Sequence, residues 1–259
     1  MGIGITAFRT QLPLPFPFPF PFPFPFPFPQ SQLPYSLFPL PDSLFPVVMN
    51  ILLFGKPGAG KGTQAPKLAD ALGAQILATG DVLRNATRAG TALGKKAKEF
   101  MDRGDLVPDD VILGIVGEAL ARPDYARGAI LDGVVRTVPQ AEGLERVLKS
   151  ANRNLDAVLN FDIDNDEIVR RLSARTVCEN CQTPYNGREP GAKCDKCGGK
   201  LVRRRDDEPD AIRNRLAVYE SQTAPVFDWY KRNGTKVVTV DAVGTMPDVT
   251  TRALKALGR

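Results

Sequence analysis

The segment Leu53 to Gln64, LFGKPGAGKGTQ, constrains the fold more than any other stretch of the chain. An apolar run from Met49 to Phe54 leads into it and a helix-forming run from Thr63 to Leu72 leads out. Gly55, Gly58, Gly60 and Gly62 let the backbone turn tightly and aim successive N–H groups at one anion, and the N-terminus of the next helix adds its positive dipole end. Lys61 supplies a point charge for nucleotide β- and γ-phosphates. The candidate cradle is therefore Gly58, Ala59, Gly60, Lys61, Gly62 and Thr63. The pattern G-x-x-x-x-G-K-[ST] is kept from Gly55 to Lys61 and then missed. Gly62 holds the eighth position, and the hydroxyl arrives one residue late, at Thr63.

Beyond the loop, short apolar runs alternate with longer helical stretches. Ala129–Asp132, Val158–Ile163 and Lys236–Asp241 read as strands. Helical stretches run from 78–84 (ATGDVLR) through Met101 and cover Val111–Ala121, Asp166–Arg175, Asp210–Tyr219 and Pro247–Leu257. Strands separated by helices of this length imply βαβ units and a parallel sheet covered on both faces. Such sheets bind ligands beyond the carboxyl ends of their strands, where Gly55, Thr79 and Asp132 would sit.

The first 48 residues are of another kind. Residues 13–29 place proline at every second position, which removes backbone donors and fixes φ, so neither helix nor central strand forms there. A stiff polyproline-like arm is expected, too interrupted for a membrane helix or a signal core, and with Arg9 as its only cation it does not resemble a transit peptide. Three readings compete: translated sequence ahead of a true start at Met49, a disordered tail, or a ligand for a proline-recognition domain. Residues 49–259 suffice for one α/β domain. A net charge of +5 does not by itself require nucleic acid, and the absence of histidine removes the commonest general base and every histidine-containing metal site.

The four cysteines form two C-x-x-C knuckles, CENC at 178–181 and CDKC at 194–197. That spacing suits a tetrahedral zinc ribbon on Cys178, Cys181, Cys194 and Cys197, a closed and therefore structural site. Disulfides are the plainer alternative, but nothing indicates export and a cytosol would reduce them. Between Arg170 and Arg205 there are ten Lys/Arg against three Asp/Glu, which is either a basic surface or a cationic cover over polyphosphate.

These motifs together resemble the adenylate kinases with a zinc-bearing lid, over essentially all of 49–259. GKPGAGKGT is similar to that family's phosphate loop, where glycine precedes threonine because magnesium is held mainly by phosphates and water. The resemblance implies a P-loop NTPase-like parallel sheet flanked by helices, a small AMP-binding helical insertion at 78–107 and a zinc-ribbon-like lid at 176–208. It implies that Thr79 and Arg84 hold the acceptor nucleotide, with Asp105, Leu106 and Val107 along its base. In LDGVVRTVPQ (131–140) it implies Asp132 organising magnesium, Gly133 among the AMP-binding residues, Arg136 at the acceptor phosphate, and Gln140 on adenine. Arg171, Arg175, Arg204 and Arg215 match the lid and hinge arginines, with Asp206 and Asp207 fixing them. Pro184, Tyr185 and Met246 match residues that meet ATP.

Two departures stand out. Val134–Val135 replaces Phe–Pro at a peptide that is usually cis in the family. A non-proline cis bond costs roughly 2.5–4 kcal/mol, so a trans or strained peptide is expected, with consequences for the aim of Arg136. Lys56 stands where the family has a small residue, either as an added cation for the triphosphate or pointing to solvent. The expected activity is Mg2+-dependent phosphoryl transfer from ATP to AMP by a cytoplasmic monomer carrying structural zinc, with no nucleic-acid or membrane partner. Kinases of UMP or CMP, and a zinc-ribbon nucleic-acid module with a vestigial nucleotide site, are the rivals.

Overall fold

The computed structural model describes residues 48–259, so the expectations for the proline-rich arm lie outside the described residues. Strand β1 (Met49–Gly55) is the middle strand of a five-stranded sheet. Its continuous apolar run conceals an alternation. Ile51 and Leu53 enter one core layer with Leu68, Ile168 and Ala253, whereas Leu52 and Phe54 enter the other with Val116, Leu144 and Val226. A strand buried on both faces has no polar side to display, which is why the run reads as unbroken.

From β1 the chain passes through α1 (Lys61–Leu72) to edge strand β2 (Gln75–Ala78), then α2 (Thr79–Arg88), α3 (Ala92–Arg103) and α4 (Asp109–Leu120). It returns as β3 (Gly128–Asp132), α5 (Val138–Ser150), β4 (Ala157–Asp162) and α6 (Asn165–Ser173). The strands β5 (Arg175–Cys178), β6 (Pro184–Asn186) and β7 (Leu201–Val202) form a separate antiparallel sheet. The chain ends with α7 (Pro209–Val218), a π turn at Tyr219–Thr223, α8 (Ala224–Arg232), β8 (Val237–Asp241) and α9 (Met246–Leu257). The main sheet has the order β2-β3-β1-β4-β8 with every pairing parallel, as expected. Its order reverses beside β1, which opens a crevice beyond the carboxyl edge. Asp132, the last residue of β3, pairs in register with Leu53 of β1 and Ala78 of β2, so three strand ends share one level.

Two appendages complete the crevice. Helices α2 and α3 enclose a small core of Leu83, Ala97, Val107 and Ile112. They meet at Gly94, where a Cβ would lie 2.2 Å from the Ala86 backbone, so only glycine permits the approach. The antiparallel sheet has a core of Cys178, Cys194 and Leu201, too small to fold unaided. Among the described residues there is no cis peptide, so Val134–Val135 is trans as expected, with both side chains buried. Strand β2 and helices α5 and α8 were not anticipated as elements from the sequence.

Candidate active site

The phosphate loop comes directly after β1. Gly55 has φ +129°, and any Cβ there would meet the Phe161 carbonyl of β4 at 2.4 Å. Gly60 caps α1 in the left-handed region at φ 94°. Lys61 folds back over the loop, and its ammonium donates to the carbonyls of Gly55 at 2.6 Å and Lys56 at 2.9 Å. Burial lowers its pKa to about 8, although the Asp132 carboxylate opposes the shift. Burial likewise pushes Asp132 up, against the pull of Lys61. Gly62 faces this carboxylate: a Cβ at 62 would lie 3.3 Å from Asp132 Oδ2. A side chain at 62 would therefore crowd this carboxylate. Lys56 takes neither anticipated course. Its ammonium donates to Asn165 Oδ1 at 2.8 Å and pairs with Glu220 at 3.3 Å.

On the other side of the crevice, Thr79 opens α2 and donates its hydroxyl to the Gly133 carbonyl at 2.8 Å, tying the ends of β2 and β3 together. Arg84 pairs with Asp81, one turn away on α2. Arg136 donates its backbone N–H to Gln140 Oε1 at 2.7 Å, and the Gln140 amide donates to Asp109 Oδ1 at 2.7 Å. Both ends of the Gln140 side chain are therefore engaged within the protein. Asp105 is fixed by Arg103 and by Asn214 at 2.8 Å, while Leu106 and Val107 line the crevice.

The arginines come from three further places. Arg175 makes two parallel hydrogen bonds to buried Asp207, the Nε bond at 2.7 Å. Arg215 of α7 donates to the Asp206 carbonyl at 2.9 Å and to Asp207 at 3.1 Å. The two aspartates therefore do fix arginines. Arg204 has none of these partners, and burial together with nearby Arg84 and Arg175 lowers its pKa to about 9. The Arg136 guanidinium, lowered to about 10 chiefly by burial and then by Arg215, pairs with no carboxylate among the described residues. Buried Nε atoms of Arg84 and Arg204 also lack partners. Cations crowded this closely, with donors left over, need an anion to settle them.

Arg171 also lines the crevice, held by Glu167 at 2.7 Å and by the Ala242 carbonyl at 3.0 Å. Pro184 and Tyr185 line it from β6, and Met246 from the start of α9. The Met246 carbonyl already accepts from Gln64 Nε2 at 3.0 Å and Thr250 Oγ1 at 2.9 Å, which leaves the N–H of this first helical residue as its free-facing backbone group. The whole crevice has a volume of about 550 Å³.

The four cysteine sulfurs lie within 4.8 Å of one another, with Cys178–Cys197 at 3.4 Å and Cys181–Cys194 at 3.6 Å. Zn–S bonds of about 2.3 Å in a tetrahedron put sulfurs about 3.8 Å apart, whereas a disulfide needs about 2.05 Å. The set fits a structural zinc ion and not a pair of disulfides. Tyr185 links this cluster to the crevice through its hydroxyl, 3.2 Å from Cys194 Sγ. The lid touches the AMP-side insertion as well: Arg88 of α2 reaches the Glu179 carbonyl inside the first knuckle, and Arg205 approaches Asp102 of α3 at 3.7 Å.

Sequence reasoning missed Asn165, Glu167, Tyr219, Glu220 and Thr223. Only Glu167 carried a usable signal, as an acid three and four residues ahead of Arg170 and Arg171. Tyr219, Glu220 and Thr223 depend on a π turn that no local propensity announces, and Asn165 on a contact across the phosphate loop.

A parallel sheet with a phosphate loop at its switch point, a second arginine-bearing pocket beside it and a basic lid above both defines a nucleoside monophosphate kinase. Comparison narrows the class. The family model described as adenylate kinase matches residues 53–235. A protein of Gemmatimonas aurantiaca named adenylate kinase is 59% identical over 211 residues, covering 81% of this chain and 99% of its own. Adenylate kinases of Archaeoglobus fulgidus and Methanothrix thermoacetophila are 46% and 44% identical, covering 76% and 82% of this chain and 91% and 99% of theirs. The chain belongs to the adenylate kinase family.

Proposed function

We propose that this chain transfers the γ-phosphoryl group of ATP to AMP, giving two ADP, with the work divided among its residues. Lys61 and the N–H groups of Gly58 to Thr63 hold the donor phosphates. Magnesium bound with ATP would offset charge on the phosphates, and Asp132 would hold its waters. Arg84 and Arg136 seat the acceptor phosphate. Thr79, whose proton goes to Gly133, retains hydroxyl lone pairs for an adenine amino group. Gln140, with one amide N–H given to Asp109 and one Oε1 lone pair given to the Arg136 N–H, keeps a second of each for adenine. Asp105, Leu106 and Val107 present backbone to the base. An AMP phosphate oxygen attacks the γ-phosphorus in line, the P–O bond to ADP breaks, and Arg175, Arg204 and Arg215 neutralise the equatorial oxygens. Arg171, Pro184, Tyr185 and the Met246 N–H border the donor nucleoside. Closure of 176–208 excludes water and limits wasteful hydrolysis. Cys178, Cys181, Cys194 and Cys197 would hold a structural zinc ion that ties the lid together. A cytoplasmic monomer acting on free nucleotides, without a nucleic-acid or membrane partner, completes the proposal.

The observation that carries this reading is the convergence of Lys61, Arg84, Arg136, Arg175, Arg204 and Arg215 on one crevice, with two guanidinium Nε atoms left unpartnered. A coupled ADP-formation assay with AMP, UMP, CMP and GMP tests it. AMP is expected to be the preferred acceptor, and preference for a pyrimidine nucleotide, or salt-dependent RNA binding without AMP turnover, overturns it. Lys61→Ala and Arg136→Ala should each lower kcat about 100- to 1,000-fold with the melting temperature unchanged.

A further inference from the structure

We infer that Thr223 is a positioning residue for Arg136, delivered to it by the π turn at Tyr219–Thr223. The inference rests on the proposal that Arg136 seats the acceptor phosphate. With no carboxylate pairing its guanidinium among the described residues, the aim of Arg136 depends on its backbone. That backbone is gripped from both sides. Its N–H donates to Gln140, and its carbonyl accepts from Thr223 Oγ1 at 2.8 Å. Thr223 is only 6% exposed, and the hydroxyl has this one protein partner among the described residues. Val134–Val135 is trans, and both of its side chains are buried directly ahead of doubly held Arg136.

The π turn explains how Thr223 arrives. The N–H of Ala224 bonds to the carbonyl of Tyr219, five residues back instead of four. One extra residue in a turn swings the rest of the helix by about 100° relative to a continuous α-helix. Thr223 meets Arg136 while Val226 and Tyr230 of α8 stay wholly buried in the core. The same turn reaches the donor side. Glu220 pairs with Lys56 of the phosphate loop at 3.3 Å, and the Tyr219 ring lies 6.1 Å from that of Phe54 at the end of β1. One irregular turn thus touches both the segment that leads into the phosphate loop and the acceptor arginine.

Thr223→Val, Thr223→Ala and Thr223→Ser test the inference on the chain as it exists. The valine and alanine variants should raise KM for AMP about tenfold and lower kcat, the scale of one lost hydrogen bond, with KM for ATP unchanged. Serine, which keeps the hydroxyl, should restore both. Amide exchange across 133–137 without nucleotide should quicken in Val and Ala and stay slow in Ser. Unchanged AMP kinetics in Thr223→Ala, or equal losses toward ATP and AMP, overturn the positioning role. Should the parent chain form no ADP from AMP, the acceptor assignment fails separately. The exchange measurement then still decides whether Thr223 holds Arg136, and unaltered exchange overturns it.

Discussion

Lys61 shows how a single residue carries two opposed demands. Its ammonium must be charged to meet phosphate, yet the site that excludes water lowers its pKa to about 8, burial outweighing Asp132. The charged form is present below that pKa and is lost as pH rises through it. The ratio kcat/KM for ATP, which reports the free enzyme, should therefore fall as pH rises through about 8 in a profile spanning about pH 6.5–9.5. A flat profile across that range contradicts the shift. Triphosphate binding stabilises the ammonium, so ATP binding in the same window should take up protons, visible as a buffer-dependent binding enthalpy. Lys61, Arg84, Arg136 and Gln140 were legible in the sequence because each sits at a fixed spacing within a compact motif. Thr223 and Glu220 were not, because their roles depend on contacts with residues 87 and 164 positions away in the sequence, respectively.

Among the elements, the lid depends most on something other than its own packing. Three strands of four, three and two residues surround a core of Cys178, Cys194 and Leu201. Removing zinc with a strong chelator should expose 176–208 to protease while the main sheet, with its two large apolar layers, melts as before. Turnover should drop by roughly tenfold or more because Arg175 and Arg204 lose their frame. A chelated protein with an intact, protease-resistant lid rules out this dependence. The strands that are long, apolar and central could be read from the sequence, as could the knuckles that hold the lid. Strand β2 could not: it is a four-residue edge strand with two partly buried residues and an exposed Gln75, a pattern too short to declare itself. The VPQ at the start of α5 reads as site chemistry. There Thr137 caps the helix by accepting from the Gln140 N–H, so one stretch serves both purposes. In α8, Pro225 and three aromatic residues obscure the helical period, and the π turn before it shifts the period outright.

At the scale of the whole molecule, the crevice-lining residues among those described fall between Leu53 and Val249. The Gemmatimonas relative is covered almost end to end by 211 residues of alignment. Protein beginning at Met49 is therefore expected to show the same kcat, KM for ATP, KM for AMP and melting temperature as the full chain, and loss of any of these would assign the proline-rich arm a part in catalysis or folding. The site itself is assembled from distant stretches: a loop after β1, an insertion after β2, an arginine after β3, a lid after α6 and a helix pair before β8. That dispersal explains why the fold was more readable than the contacts within the site. Alternation and spacing announce a parallel sheet locally, whereas the pairing of Arg215 with Asp206 and Asp207 or of Lys56 with Glu220 exists only after the sheet has closed.

Gly62 finally bears on how such a protein should be engineered. Substitution toward a consensus often stabilises, but the family's own residue at position 62 is glycine, and only the general loop pattern asks for a hydroxyl there. Here position 62 is coupled to Asp132, 3.3 Å from where a Cβ would project. Gly62→Ser, the change that completes the general loop pattern, should lower kcat by about 10- to 100-fold by displacing that carboxylate, and steady-state kinetics would show it. The irregularity is one half of a matched pair, and repairing it alone breaks the match.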